Sequence, residues 1–308
     1  VENLREMVEF LNQKIDIKPT KSDMNSLLTN QFNDLDFKDV KGQHTVKRAL
    51  EIAAAGSHNI LMVGPPGSGK TMLSRRLPSI LPDMTFEESL EVTKIYSVAG
   101  LLKENENLIL KRPFRSPHHT ISAASLTGGG RIPKPGEVSL SHYGVLFLDE
   151  MPEFPKHALE VLRQPLEDEC VTISRVNGTV TFPAKFMLIA SINPCPCGFF
   201  GDESGKCSCT ATQIKNYMGK ISGPLLDRID LQIEVKALKF NDLSNDSKGE
   251  SSSSIKNRVN NARRIQLERY KKERIFSNSQ LKPKQMNKYC KIGKEEKSIL
   301  EEAFDRFN

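Results

Sequence analysis

Eight consecutive residues, Gly64, Pro65, Pro66, Gly67, Ser68, Gly69, Lys70 and Thr71, match the pattern G-x-x-x-x-G-K-[ST] in full. The chemistry of that pattern is a grip on phosphate. Glycines let backbone N–H groups curl round an anion at a helix start, Lys70 neutralises β- and γ-phosphate charge, and the Thr71 hydroxyl can ligate Mg²⁺. Further along, the apolar run Val145–Leu148 ends in Asp149 and Glu150. Asp149 is suited to hold Mg²⁺ through water, and Glu150 to polarise an attacking water. Asn193, at the end of another apolar run, offers an amide to that water or to the γ-phosphate; alternatively, an Asn before Pro194 simply starts a turn. Arg228, after Leu226 and Asp227, has the chemistry of an arginine finger working on a neighbouring copy's nucleotide, which requires a ring of subunits.

A second constellation is thiol-based. Cys195 and Cys197 are separated by one residue, as are Cys207 and Cys209, with nine residues between the pairs. Four thiolates about 2.3 Å from one ion make a tetrahedral structural zinc site, and Gly198, Gly201 and Gly205 give the loop freedom to close it; free thiols are the alternative. His118 and His119 are adjacent, so in an extended segment they point to opposite sides, and structural or substrate-contact roles are expected of them.

These groups need a frame that brings them to one edge. The runs Asn59–Val63, Val145–Leu148, Phe186–Ser191 and Leu231–Val235 read as strands, and helical stretches lie between them. Four apolar residues in a row require a strand buried on both faces, so the expected class is α/β, a parallel sheet with helices on both faces, and ligands gather outside the carboxyl ends of such strands. Asn177 and Gly178, between Val171–Val176 and Thr179–Phe182, predict a two-residue hairpin. Leu4, Met7, Val8 and Leu11 repeat at helical spacing, giving a short amphipathic helix over Glu2–Lys14. Segments 18–33 and 244–254 read as linkers, with helices following over Ile255–Phe276 and Glu295–Phe307. The expected organisation is 1–35 as helix and linker, 36–236 as an ATPase core carrying the four-cysteine insertion, and 237–308 as linker and partial helical lid. The segment Arg112–Pro135, rich in Gly, Pro, Arg and Lys, is expected to be a mobile loop with little to bury. Its Arg131 and Lys134, and Arg175 in the hairpin, are candidate contacts to a phosphodiester backbone; ordinary solvated surface is the alternative for each.

Composition narrows the class. The 308 residues carry a net charge of +6. Residues 256–297 hold fourteen Lys or Arg against four Glu, a local excess of +10 that leaves the rest of the chain at −4. Such a segment fits an anionic partner such as nucleic acid, or the solvated face of amphipathic helices. With no run of about 18 apolar residues, no membrane partner is expected. Six cysteines are too sparse for a disulfide scaffold, and a cytoplasmic location follows.

The order Gly42-Gln43, Gly64–Thr71, Val145–Glu150, Ser191–Asn193 and Leu225–Asp230 resembles the AAA+ family of P-loop ATPases. The strings Arg115–Thr120, Gly128–Gly130, Pro135–Glu137 and Asn193–Gly198 resemble more closely the ComM/YifB group of bacterial Mg-chelatase-like members. The resemblance implies ATP and Mg²⁺ as cofactors, nucleotide contacts from Gln43 and Met72 besides the loop, a homo-oligomeric ring, expected to be a hexamer, and action on DNA in branch migration. It also implies that Glu2–Lys14 closes a Lon-like domain, and that a second-sensor arginine lies beyond Asn308, so that this piece alone hydrolyses ATP poorly. Two other classes stay open: a chaperone- or chelatase-type remodeller whose load is protein, and a nucleotide switch without motor activity, in which Glu150 and Arg228 would be superfluous.

Overall fold

In the computed structural model the described residues are 3–17, 35–102, 108–175, 178–202, 205–237, 249–273 and 275–307. They belong to two compact units, one within Val1–Phe32 and one within Asn33–Asn308. The first holds a helix, Leu4–Leu11, whose start is capped by the Asn3 side chain accepting from the Glu6 N–H. The linker expected over 18–33 lies outside the described residues.

The second unit is built on nine strands among the described residues: β1 (Ile60–Val63), β2 (Phe114–Arg115), β3 (Gly128–Gly129), β4 (Lys134–Pro135), β5 (Val145–Leu148), β6 (Cys170–Arg175), β7 (Gly178–Pro183), β8 (Met187–Ile192) and β9 (Leu231–Glu234). Five form one parallel sheet in the order β2-β5-β8-β1-β9. Every residue of β5 and β8 is buried, as the uninterrupted apolar runs require. The pleat then sorts the side chains. Leu61, Leu146, Leu148, Leu188 and Ala190 enter a core on one face, while Ile60, Met62, Phe147, Met187 and Ile189 enter the core on the other. Helices His44–Gly56, Lys70–Arg76 and Ser252–Tyr270 contribute to the second core. Helices Lys156–Glu160 and Gly223–Leu226 and the β6–β7 hairpin contribute to the first. Phe147 is fully buried and stacks on Phe114. Phe147→Ala should therefore lower unfolding free energy by about 3–5 kcal/mol, read from denaturant midpoints, and an unshifted midpoint would contradict this packing.

Three expectations need correction. The hairpin pairs Arg175 with Gly178, so Gly178 belongs to a strand and not to the turn that Asn177-Gly178 implies. Hydroxyl pairs Thr172–Thr181 and Ser174–Thr179, at 3.0 and 3.2 Å, suit that register; Val176 and Asn177 themselves are outside the described residues. The serine-rich stretch does not continue as linker through Ser254, because Ser251 accepts from the Ser254 N–H and starts the helix Ser252–Tyr270. Nor is Arg112–Pro135 empty of core: helix Ala123–Thr127 buries Leu126 completely, and the guanidinium of Arg115 forms a two-pronged ion pair with Glu137 at 2.6 and 2.7 Å. Among the described residues no helix is long and apolar enough to cross a membrane.

Candidate active site

The phosphate-type loop leaves the carboxyl end of β1, and β8 and β5 end beside it in the same parallel direction. The Gly64 N–H donates to Ile192 O at 3.1 Å. A Cβ on Gly64 would lie 2.2 Å from Val235 O, so only glycine lets the chain after β9 pass this close. Gln43 clamps that crossing, its side-chain N–H group donating to Ser68 O at 3.3 Å and to Lys236 O at 2.7 Å. Met72 is partly exposed on the first turn of the following helix.

Lys70 is only 7% exposed, and its ammonium donates to Gly64 O at 2.7 Å, Pro65 O at 2.9 Å and Asn193 Oδ1 at 3.1 Å. Burial holds its pKa below the ordinary lysine value, opposed by the Asp149 and Glu150 carboxylates. Thr71 Oγ1 donates to Asp149 Oδ2 at 2.7 Å. Hydroxyl and carboxylate thus meet at one point, the donor set that a hard, oxygen-loving cation takes. The Ser68 hydroxyl is buried inside the loop with no hydrogen-bond partner, an orphan that a bound anion's oxygens would satisfy. The donor set therefore fits a Mg²⁺-bearing triphosphate.

Sequence reasoning missed the group that holds the acidic pair in place. Ser191 is fully buried; its hydroxyl donates to Asp149 Oδ1 and accepts from the Glu150 N–H at 3.0 Å. Glu150 has φ +51°, a left-handed conformation unusual for a side chain this size, and is exposed. Tyr217, in helix Ala211–Met218, was missed as well. It is buried near Asn193, and that burial pushes its pKa up to about 12.

The structure thus brings together Gln43, Gly64–Thr71, Asp149, Glu150 and Asn193. Arg228 does not join them: Asn59, just before β1, donates its side-chain amide to Arg228 O at 2.8 Å, at the end of the strand opposite the loop. Its guanidinium donates to Glu167 at 2.7 Å. Arg131 and Lys134 are exposed around the short β3–β4 pair, and Arg175 Nη2 is 3.2 Å from where a Gly129 Cβ would stand. Lys134 is the partner of Gly129 across that pair, so the three basic candidates gather on one surface. The C-terminal basic segment is different. Arg258 pairs with Glu51 and Glu250 and Lys256 with Asp83, acids outside the segment, while Lys288 pairs with Glu273 inside it, so part of its excess is neutralised within the fold. Cys195, Cys197, Cys207 and Cys209 place their sulfurs within 4.8 Å of one another, a group able to hold a metal ion.

The family model "Magnesium chelatase, subunit ChlI" matches residues 36–243, and "Magnesium chelatase, subunit ChlI C-terminal" matches residues 249–308. The chain belongs to this magnesium-chelatase ChlI family. Within the family it is similar to the competence protein ComM of Haemophilus influenzae, 43% identical over 99% of this chain and 59% of that protein. It is also similar to YifB of Salmonella typhimurium, 44% identical over 87% of this chain and 52% of that protein. The chain thus spans a little over half the length of these curated relatives. Among solved structures, one of the complex between subunits BchI and BchD of magnesium chelatase aligns with TM-score 0.50 at 20% identity, covering 78% of this chain and 76% of that one. That likeness shows the shared fold, and the ChlI-family core here has the AAA+ sheet with helices on both faces.

Proposed function

We propose that this chain is the ATP-hydrolysing motor part of a ring-forming AAA+ protein of the ComM/YifB type that acts on DNA. The observation that carries the ATPase reading is the direct contact of Thr71 Oγ1 with Asp149 Oδ2 beside the buried Lys70 ammonium. Loop amides and Lys70 bind and orient the β- and γ-phosphates, Thr71 and Asp149 hold the cation, and Glu150 takes the water's proton. Mg²⁺, when bound there, would supply charge neutralisation for the triphosphate. Asn193, bonded to Lys70, positions the γ-phosphate or the water. Gln43 and Met72 flank the nucleotide. Arg228 faces away from its own loop, and the reading gives it the nucleotide of the next copy in a ring, expected to be a hexamer. Free cysteines suit a cytoplasmic protein.

DNA is favoured by the similarity to a protein named for competence and by the clustering of Arg131, Lys134 and Arg175. The internal pairing of Arg258 and Lys256 favours a second reading, remodelling of a protein load, because it takes two cations of the basic segment away from a DNA backbone. Salt separates the two. Affinity of the full-length parent for branched DNA should fall with a log–log slope near −0.9 per phosphate neutralised, and Lys134→Ala with Arg175→Ala should flatten the slope by about 2. Salt-independent binding, with ATP turnover indifferent to DNA, would transfer the proposal to protein remodelling.

A further inference from the structure

The thiol cluster lies against the phosphate loop, and the contacts between them point to more than a local staple. The sulfurs of Cys195 and Cys197 are 3.3 Å apart, those of Cys195 and Cys207 3.8 Å, and those of Cys197 and Cys207 3.7 Å. Four thiolates on a tetrahedron about 2.3 Å from a central zinc stand about 3.8 Å from one another, whereas a disulfide needs about 2.0 Å. These three separations are those of a shared ligand shell, and the Cys209 sulfur lies within 4.8 Å of the other three. An all-sulfur tetrahedral set selects a borderline-soft ion such as Zn²⁺ over Mg²⁺ or Ca²⁺.

Three features tie this knuckle to the nucleotide site. Cys195 is wholly buried two residues after Asn193, which accepts from Lys70. The Gly198 N–H donates to Cys195 O at 2.9 Å, closing a tight turn whose backbone lies flush on Pro66. A Cβ on Gly198 would come 2.4 Å from Pro66 Cδ and 2.7 Å from Cγ, so no other residue allows that approach. Past the second cysteine pair, Thr210 caps the helix that carries the buried Tyr217 toward Asn193.

We propose that the four cysteines bind one Zn²⁺ and that the loaded centre is a clamp, fixing Pro66 on one side of the phosphate loop and Asn193 on the other. Losing the ion unties Cys195 and Cys197 from Cys207 and Cys209. The chain between them regains its conformational freedom, and the surface on which Pro66 rests goes with it. The clamp rests on the nucleotide-site reading for its significance, although its physical content does not depend on any nucleotide.

The test uses the full chain, purified without chelator and free of nucleotide. Elemental analysis should find about one zinc per chain, and Co²⁺ replacement should give the visible and near-ultraviolet bands of a four-thiolate tetrahedral site. Stripping the zinc under reducing conditions should speed hydrogen exchange of peptides spanning 64–69 and 191–194 by about tenfold, leave 145–148 unchanged, and be reversed by added Zn²⁺. Cys207→Ser with Cys209→Ser, which spares the buried Cys195, should show the fast exchange with zinc present. Protein that carries no zinc and takes up no Co²⁺ overturns the site; exchange at 64–69 that ignores the metal overturns the clamp. Failure to bind ATP would instead strike the nucleotide reading alone.

Discussion

Lys70→Ala should weaken ATP binding by at least about a hundredfold, roughly 2.7 kcal/mol, and abolish measurable turnover. The ammonium is the positive charge built into the loop, and it is held in a nearly dry place by Gly64 O, Pro65 O and Asn193 Oδ1. Burial disfavours its charged form, and the two carboxylates offset part of that cost. An arriving triphosphate adds the missing negative charge, so the site recovers in binding what it spends in desolvation. Alanine removes the charge and leaves two carbonyls and an amide oxygen without their donor, costing about 1–3 kcal/mol of stability. Titration with a fluorescent ATP analogue, alongside a melting curve, separates the two effects. Unchanged affinity in a folded variant would dismantle the assignment of the loop.

Much of this site was legible because its parts are local. The loop is eight consecutive residues, and Asp149-Glu150 follow four apolar residues that only a doubly covered strand accommodates. Ser191 was not legible in its role. It becomes the anchor of Asp149 because Leu148 pairs with Ala190 across β5 and β8, and strand register is a property of two segments far apart in sequence. The same holds for Tyr217, which comes near Asn193 only after the cysteine loop, and for Pro66 under Gly198. β2 is two residues long and too short to carry a periodic signal. Counting cations over 256–297 gives the charge of the segment but not its pairing, because Glu51 and Asp83, which take Arg258 and Lys256, sit in other elements.

Glu150→Gln should leave ATP affinity within a few-fold of the parent while turnover falls by about 10²–10³. Glutamine keeps the size and length of the side chain, and the backbone turn at φ +51° is held from outside, by Ser191 accepting the residue's own N–H. The loop, Lys70 and the Thr71–Asp149 pair are untouched, so ground-state binding has no reason to change. What disappears is a carboxylate able to take a proton from water, an interaction realised only as the γ-phosphoryl group is attacked. The kinetic signature is therefore a fall in kcat with KM nearly constant. Asp149→Asn is the informative contrast: Asp149 contacts Thr71 and Ser191 directly, so its loss should disturb cation-dependent binding as well as turnover. If Glu150→Gln lost binding and turnover together, the two carboxylates would be acting as one cation site. The proton would then need another acceptor, and the separation of roles between the adjacent acids would fail even with the loop's grip on phosphate intact.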